Sequence, residues 1–170
     1  MNEMTNELEN LIEIHKRLQQ ESLEYFVKQL PVISGIYDRM MIGDAPILDT
    51  TEKIGEYAIS LFYGKMAEEV YVISLSSSKR LIRCGLISRG SPTSAPAPVR
   101  LIMEVAILSN AHSIVLVHNH PSGELIPSHD DVEVTTRIAI ALKTIDAKLY
   151  DHIIVSRKKY FSMRDSGFFW

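Results

Sequence analysis

The sequence of 170 residues contains one cysteine, Cys84, and no apolar run long enough to cross a membrane. A single cysteine excludes an internal disulfide and a zinc cluster built from several thiolates, and it is typical of a reducing compartment. The N-terminus lacks the charged and then apolar pattern of a secretory signal, so we expect a cytoplasmic protein without a membrane segment. Basic residues are fewer than acidic ones, and the net charge of −3 provides no overall positive field for nucleic acid.

Hydrophobic residues make up 46% of the chain, enough for one compact domain with an appendage. The first 48 residues or so are rich in Glu, Gln, Asn and Leu, and their apolar residues recur at helical spacing. Thr50 or Thr51 can cap a further helix that ends near Phe62. We therefore divide the chain into a helical N-terminal region, residues 1–64, and a main domain, residues 65–170.

The main domain alternates short β-branched runs with amphipathic ones. Its element order is ββαβαββ, which predicts a mixed α/β fold. Strands are expected at 69–75, 81–87, 113–117, 147–155 and 160–163, helices at 98–109 and 128–145, and a loop at 88–98.

His118 and His120 follow the buried strand directly, and their spacing of two places both side chains on one side of it. A catalytic zinc needs three protein ligands and an open fourth position, and a His-His-Asp set completed by Asp131 meets that count. Ser128-x-x-Asp131 also matches a capping box, in which the carboxylate would serve the helix start instead. Beside two histidines in strand register, the ligand role is favoured.

Hydrolysis also requires a carboxylate that accepts a proton from water and returns it to the leaving group. Spacing alone does not choose among the available acids, which are Glu68, Glu69, Glu104 and Glu124. The side chain of His152 either orients the site or only packs. That of Asn119 either contacts substrate or, by default, bonds to backbone.

The segment from Glu69 to Met163 resembles the RadC family, the bacterial branch of the JAMM/MPN-type metallohydrolases. The signature of that group is an upstream Glu, His-x-His, seven residues, Ser, two residues and Asp, and it is matched by His118, His120, Ser128 and Asp131. The wording Val-His-Asn-His-Pro-Ser-Gly and the later Tyr-Asp-His-Ile-Ile narrow the resemblance to RadC.

The resemblance implies a JAMM/MPN fold, a mixed sheet flanked by helices in cytidine-deaminase-like layers. It implies that His118, His120 and Asp131 bind Zn2+ and that Ser128 helps to stabilise the oxyanion. It assigns the general acid/base role to Glu69, with Glu68 as the rival. Relatives in this group hydrolyse peptide or isopeptide bonds, so a peptide or protein substrate is expected. The alternative is a non-catalytic interaction module associated with DNA repair. A zinc cytidine deaminase is excluded, because its His-x-Glu and Pro-Cys-x-x-Cys motifs are missing.

The RadC name implies DNA repair, but residues 1–60 contain no Gly-rich hairpin followed by a basic helix. The remaining candidate for nucleic-acid contact is the basic and aromatic segment 157–161 with Arg164. An exposed turn that leads into an edge strand explains the same residues more simply.

Overall fold

The computed structural model describes residues 45–90 and 99–169, together with positions 6, 9, 10, 12–14 and 16. The chain divides into two compact units, residues 1–45 and 46–170. Apart from Ala45, the described positions of the first unit are helical. The rest of the predicted N-terminal helices, and most of the predicted loop over 88–98, lie outside the described residues. Within the described part of the chain, no helix combines the length and the apolar character that a membrane span requires.

Helix α1, Thr51–Leu61, begins where the sequence predicts it, with Thr50 accepting a hydrogen bond from the Lys53 amide. Its buried residues Ile54 and Ala58 belong to the same core as the sheet. The predicted boundary at 64/65 assigns this helix to the N-terminal region, whereas in the structure the helix lies within the second unit.

The second unit is built on one five-stranded mixed sheet in the order β2-β1-β3-β4-β5. Only β3 and β4 pair in parallel, and the other neighbours are antiparallel. The predicted α/β class is confirmed, and so is the element order. The strands are β1 (Glu69–Leu75), β2 (Leu81–Arg89), β3 (Ser113–Asn119), β4 (Lys148–Ser156) and β5 (Lys159–Ser162), and the helices between them are α2 (Val99–Leu108) and α3 (His129–Lys143).

Strand β3 is buried along its whole length because helices cover both faces of the sheet. Val115 and Val117 pack into the core that contains α1. Ile114 and Leu116 pack into the core that contains α2 and α3. Since side chains alternate along a strand, the next even-numbered residue, His118, points to the α3 side.

Candidate metal centre

The two imidazoles of the His-x-His motif meet at the end of β3. Nε2 of His118 lies 2.9 Å from Nε2 of His120. The carboxylate of Asp131, at the start of α3, reaches the same point, with Oδ1 3.4 Å from His118 Nε2 and Oδ2 3.8 Å from His120 Nε2. The structure therefore brings together the three residues that the sequence analysis selected as ligands.

His120 lies just beyond β3, and the neighbouring strand β4 holds it there. Its amide donates to the Val155 carbonyl at 2.8 Å, and its own carbonyl accepts from the Ser156 hydroxyl at 2.9 Å. Nδ1 of its ring lies 3.1 Å from the Glu124 carbonyl oxygen. A carbonyl can only accept, so Nδ1 carries the ring proton and Nε2 presents a lone pair.

The Asp131 carboxylate forms the predicted helix cap and also lies beside the two histidines. Its Oδ2 accepts from the Ser128 amide at 2.8 Å while the Asp131 amide donates to Ser128 Oγ at 3.1 Å, and these two bonds are the capping box. The Ser128 hydroxyl also donates to Oδ2 at 2.6 Å. Asp131 Oδ1 is the oxygen nearest His118. The helix cap thus orients the carboxylate instead of competing with the site for it.

Acceptors outnumber donors where these side chains converge. His120 presents a lone pair, the Asp131 carboxylate only accepts, and at most one proton fits between the two Nε2 atoms. Glu68 adds another carboxylate, since ligand atoms of Glu68, His118 and His120 lie within 4.8 Å of one another. A cation satisfies such a set, and two imidazoles with a carboxylate match the ligand preferences of zinc.

Either carboxylate could complete a site with the two histidines. Glu68 offers one ligand atom within 4.8 Å of both imidazoles, whereas Asp131 approaches them through different oxygens. The Asp131 carboxylate is held by the helix cap at hydrogen-bond distance from Ser128. Glu68 is half-buried, and burial is the main cause that raises its pKa, with Asp131 raising it further and His120 lowering it. A carboxyl with a raised pKa is suited to transferring protons.

Burial keeps the innermost histidines in the form that binds metals. It lowers the pKa of His118, an effect that Asp131 opposes and His120 reinforces. It lowers the pKa of His152 well below its ordinary value, with His118 and His120 adding to the effect. Both rings are therefore neutral near pH 7, and a neutral imidazole is the ligand species.

The structure does not bring Glu69 into this group. Its carboxylate is buried on the other side of β1, where it accepts from Arg89 Nε at 2.6 Å and from the Tyr71 hydroxyl at 3.0 Å. Lys65 Nζ lies 3.4 Å from the same carboxylate. Burial opposes its ionisation, but the hydrogen bonds from Tyr71, Arg89 and Lys65 hold its pKa below the ordinary value.

Strand geometry explains why adjacent glutamates have different surroundings. Val70 pairs with His118, and residues of equal parity on β1 share a face. Glu68 precedes Val70 by two positions and therefore lies on the side of His118, whereas Glu69 lies on the side of Tyr71. The structure accordingly favours Glu68, the rival in the sequence analysis, as the acid beside the histidines.

His152 and Asn119 each make one of the two kinds of contact left open for them. Nε2 of His152 is 2.8 Å from Nδ1 of His118, so this buried ring contacts a candidate ligand directly. The side chain of Asn119 bonds to backbone, accepting from the Glu69 amide at 2.8 Å and donating to the Ala67 carbonyl at 3.0 Å.

The basic segment at 157–159 forms the exposed turn between β4 and β5, where Ser156 pairs with Lys159. Arg164 lies elsewhere, with its guanidinium 4.2 Å from the centre of the Tyr150 ring and donating to Thr51 Oγ1 at 2.7 Å. The segment is therefore an exposed turn, as the simpler interpretation expects. Arg164 packs on Tyr150 and does not form one basic surface with this turn.

Comparison with known proteins places the fold and the site in a family. The RadC-like JAB domain matches residues 48–168. A UPF0758 protein of Flavobacterium johnsoniae is 37% identical over 102 residues, which cover 60% of this chain and 44% of that protein. One from Finegoldia magna is 41% identical over 102 residues, covering 60% and 46%.

A UPF0758 protein of Symbiobacterium thermophilum aligns over a longer stretch, 28% identical over 144 residues, covering 82% of this chain and 62% of that protein. The chain spans about half the length of the curated relatives it matches. The resemblance to RadC noted from the motif is confirmed by a match that includes every residue of the candidate metal centre. This chain belongs to the family of RadC-like JAB domain proteins.

Proposed function

We propose that the chain is a zinc-dependent hydrolase that cleaves a peptide or isopeptide bond. The observation that carries the proposal is the convergence of His118 Nε2, His120 Nε2 and the Asp131 carboxylate, beside Glu68, with too few protons for the acceptors present. A zinc ion held there would lower the pKa of a bound water toward neutrality and polarise the scissile carbonyl.

Glu68 is the general acid/base in this proposal, in place of Glu69. Its carboxylate lies beside the two histidines and is half-buried, and burial raises its pKa, which makes it a better proton acceptor than an exposed carboxylate. It accepts a proton from the attacking water on a carboxylate oxygen and then delivers that proton to the leaving amine.

Ser128 acts first on Asp131. Its hydroxyl donates to Asp131 Oδ2 and accepts from the Asp131 amide at 3.1 Å, so one side chain fixes both the helix start and the ligand. The oxyanion role that the family resemblance implies requires this hydroxyl to turn its proton toward substrate. Ser128 is exposed, which leaves it accessible for such a contact.

A protein or peptide is the substrate class we propose. A non-catalytic module linked to DNA repair is the alternative, and such a module would need the fold but not the acid/base glutamate.

The first experiment measures metal by elemental analysis in full-length protein purified without chelator or a histidine tag. We expect about one zinc per chain in the wild type and none in a His118→Ala/His120→Ala variant. If the wild type takes up no zinc when zinc is supplied, the hydrolase proposal is refuted and the non-catalytic module is favoured.

The second experiment uses adjacent glutamates as a matched pair. Peptides and isopeptide-linked peptides are incubated with the zinc-loaded protein in 18O-labelled water, and label in the new carboxylate identifies hydrolysis. Glu68→Gln should retain zinc and lose about 10²- to 10⁴-fold of the cleavage rate. Glu69→Gln makes the same chemical change on the other side of β1 and should retain both zinc and cleavage. The reverse pattern would restore the assignment of Glu69.

A further inference from the structure

A chain of buried side chains leads away from the metal centre into α3. Nδ1 of His118 is 2.8 Å from Nε2 of His152, and Nδ1 of His152 is 2.6 Å from Oγ1 of Thr135. The Thr135 hydroxyl also contacts the Asp131 carbonyl, one helical turn back. His152 is 1% exposed and Thr135 is fully buried, so water does not compete for these bonds.

The position of each proton follows from the Thr135 end. A helical threonine commonly donates its single proton to the carbonyl four residues earlier, here that of Asp131. Its oxygen can then only accept from His152, so Nδ1 of His152 carries the ring proton. Nε2 of His152 is left as an acceptor, and the hydrogen bond to it must come from Nδ1–H of His118.

We propose that Thr135, acting through His152, fixes His118 as the tautomer protonated on Nδ1 and so directs a lone pair on Nε2 into the metal centre. Thr135 and His152 are positioning residues, and the proposal rests on the proposed metal-binding function. The Asp131 residue then contributes twice, with its carboxylate beside the histidines and its backbone carbonyl at the far end of the chain.

The opposite arrangement has a distinct consequence. If Thr135 donated to His152, the proton order would reverse along the chain, and His118 would carry its proton on Nε2. That proton would point at His120 Nε2, 2.9 Å away, and would have to leave before a cation could bind. The tautomer of His118 therefore decides whether its Nε2 lone pair is free to bind a cation or whether Nε2 carries a proton that is hydrogen-bonded to His120.

The tautomer can be measured in full-length metal-free protein by long-range proton–nitrogen NMR on 15N-labelled histidine, near pH 7. Single substitutions of His118 and His152 assign the signals. We expect Nδ1–H and a bare Nε2 on both rings, the form that free histidine populates least. A signal from a proton on His118 Nε2 would overturn the proposal, whatever the hydrolase assays show.

Variants of Thr135 provide the second measurement, zinc affinity by competition with a chromophoric chelator. Thr135→Val removes the hydroxyl with little change in shape, and we expect a loss of affinity of about 10- to 100-fold, as is typical for partners of ligating histidines. Thr135→Ser keeps the hydroxyl and should restore affinity to within about threefold of the wild type, well inside that range.

Thr136→Val is the matched control. Thr136 is the neighbouring exposed residue, and its hydroxyl also donates to a helical carbonyl, that of Val132, at 2.9 Å. Equal affinities in Thr135→Val and Thr136→Val would overturn the proposal. If Thr135→Val does not fold, the wild-type tautomer and the Thr135→Ser affinity still decide it. Zinc affinity and tautomers are read without substrate, so a failed search for hydrolysis leaves this test intact.

Discussion

Asn119 bonds the peptide groups on both sides of Glu68, accepting from the Glu69 amide through Oδ1 and donating to the Ala67 carbonyl through Nδ2. Because Asn119 stands between His118 and His120, the segment that carries both histidines also fixes the backbone that carries the proposed acid/base. In addition to the pairing of β1 with β3, one amide side chain thus ties the Glu68 backbone to the segment that carries the imidazoles.

Replacing that amide by a carboxylate tests this relationship. In Asn119→Asp, the donor to Ala67 becomes an oxygen that faces the carbonyl at the original spacing of 3.0 Å, and the two repel. We expect zinc to be retained, while cleavage of a peptide that the wild type hydrolyses falls by about 10²-fold, because small displacements of reacting groups are costly. Rates and zinc content are measured on the same samples.

Asn110→Asp is the control for the same chemical change. Asn110 is exposed and has a φ of 46°, a conformation that both asparagine and aspartate adopt. It should behave as wild type. If the cleavage rate of Asn119→Asp falls only in proportion to its zinc content, Asn119 does not position Glu68.

Glu69 is expected to support stability. Glu69→Gln removes the charge from a side chain that is 2% exposed and accepts from Arg89 and Tyr71. The free energy of unfolding should therefore fall by about 1.5–3 kcal/mol, the usual range for hydrogen bonds to charged groups. Urea denaturation measures it. The comparison variant is Glu104→Gln, whose ion pair with Arg100 is exposed, and which should change stability by less than about 1 kcal/mol. Equal losses in both variants would show that burial of Glu69 adds nothing.

Gly55 marks the contact between α1 and β5. A Cβ at this position would lie 2.4 Å from the ring of Tyr160, so Gly55→Ala forces the helix and the ring apart. We expect a net loss of about 1–3 kcal/mol from overpacking, even though alanine favours helices. Gly85→Ala is the control, since the nearest atom to its Cβ is 4.0 Å away in the flexible Arg83 side chain. Thermal or urea unfolding that gave the two variants equal stability would contradict this packing.

The raised pKa values of Tyr57 and Cys84 predict that the protein loses stability at alkaline pH. Burial, and then Cys84, raise the pKa of Tyr57 to about 12, and burial raises the pKa of Cys84. Both groups have higher pKa values folded than unfolded. Their contribution to the free energy of unfolding is therefore complete below the unfolded pKa values, 9.0 for Cys84 and 10.0 for Tyr57. It is lost as the pH rises through the folded pKa values.

The measurement compares urea unfolding at about pH 8 and about pH 10.5, which brackets the start of this loss. The wild type should lose more stability between the two than Tyr57→Phe, which has no phenol to ionise. An equal loss in both proteins would show that Tyr57 does not contribute.

Local signals in the sequence predicted the elements that carry the site. β1 was expected at 69–75 and is found at Glu69–Leu75, because a run of β-branched and aromatic residues is bounded by polar turns. The spacing of Ser128 and Asp131 indicated a capping box as one of two alternatives, and Ser128 caps α3 in the structure. Such features depend on neighbours in the chain, which a sequence displays directly.

Such local signals do not predict which of Glu68 and Glu69 lies beside the histidines. β1 is covered on both faces, so Val70 and Tyr71 both pack against apolar cores, and their alternation does not reveal which of them shares a face with His118. The contact of His118 with His152 joins residues 34 positions apart and depends on the parallel pairing of β3 with β4. The unit to which α1 belongs is likewise decided by packing, which its helical periodicity does not encode.

The parallel pairing of β3 and β4 also determines when the histidines acquire their orientation. Three residues that position the histidines arrive on β4, after α3 has been made. Val155 and Ser156 bond the His120 backbone, and His152 contacts the His118 ring. A ribosome-bound chain that has exposed only the His-x-His motif carries two rings that nothing yet holds. Metal is therefore expected to enter after the sheet closes, so that loading follows the folding of residues 46–170 and cannot serve as its nucleus.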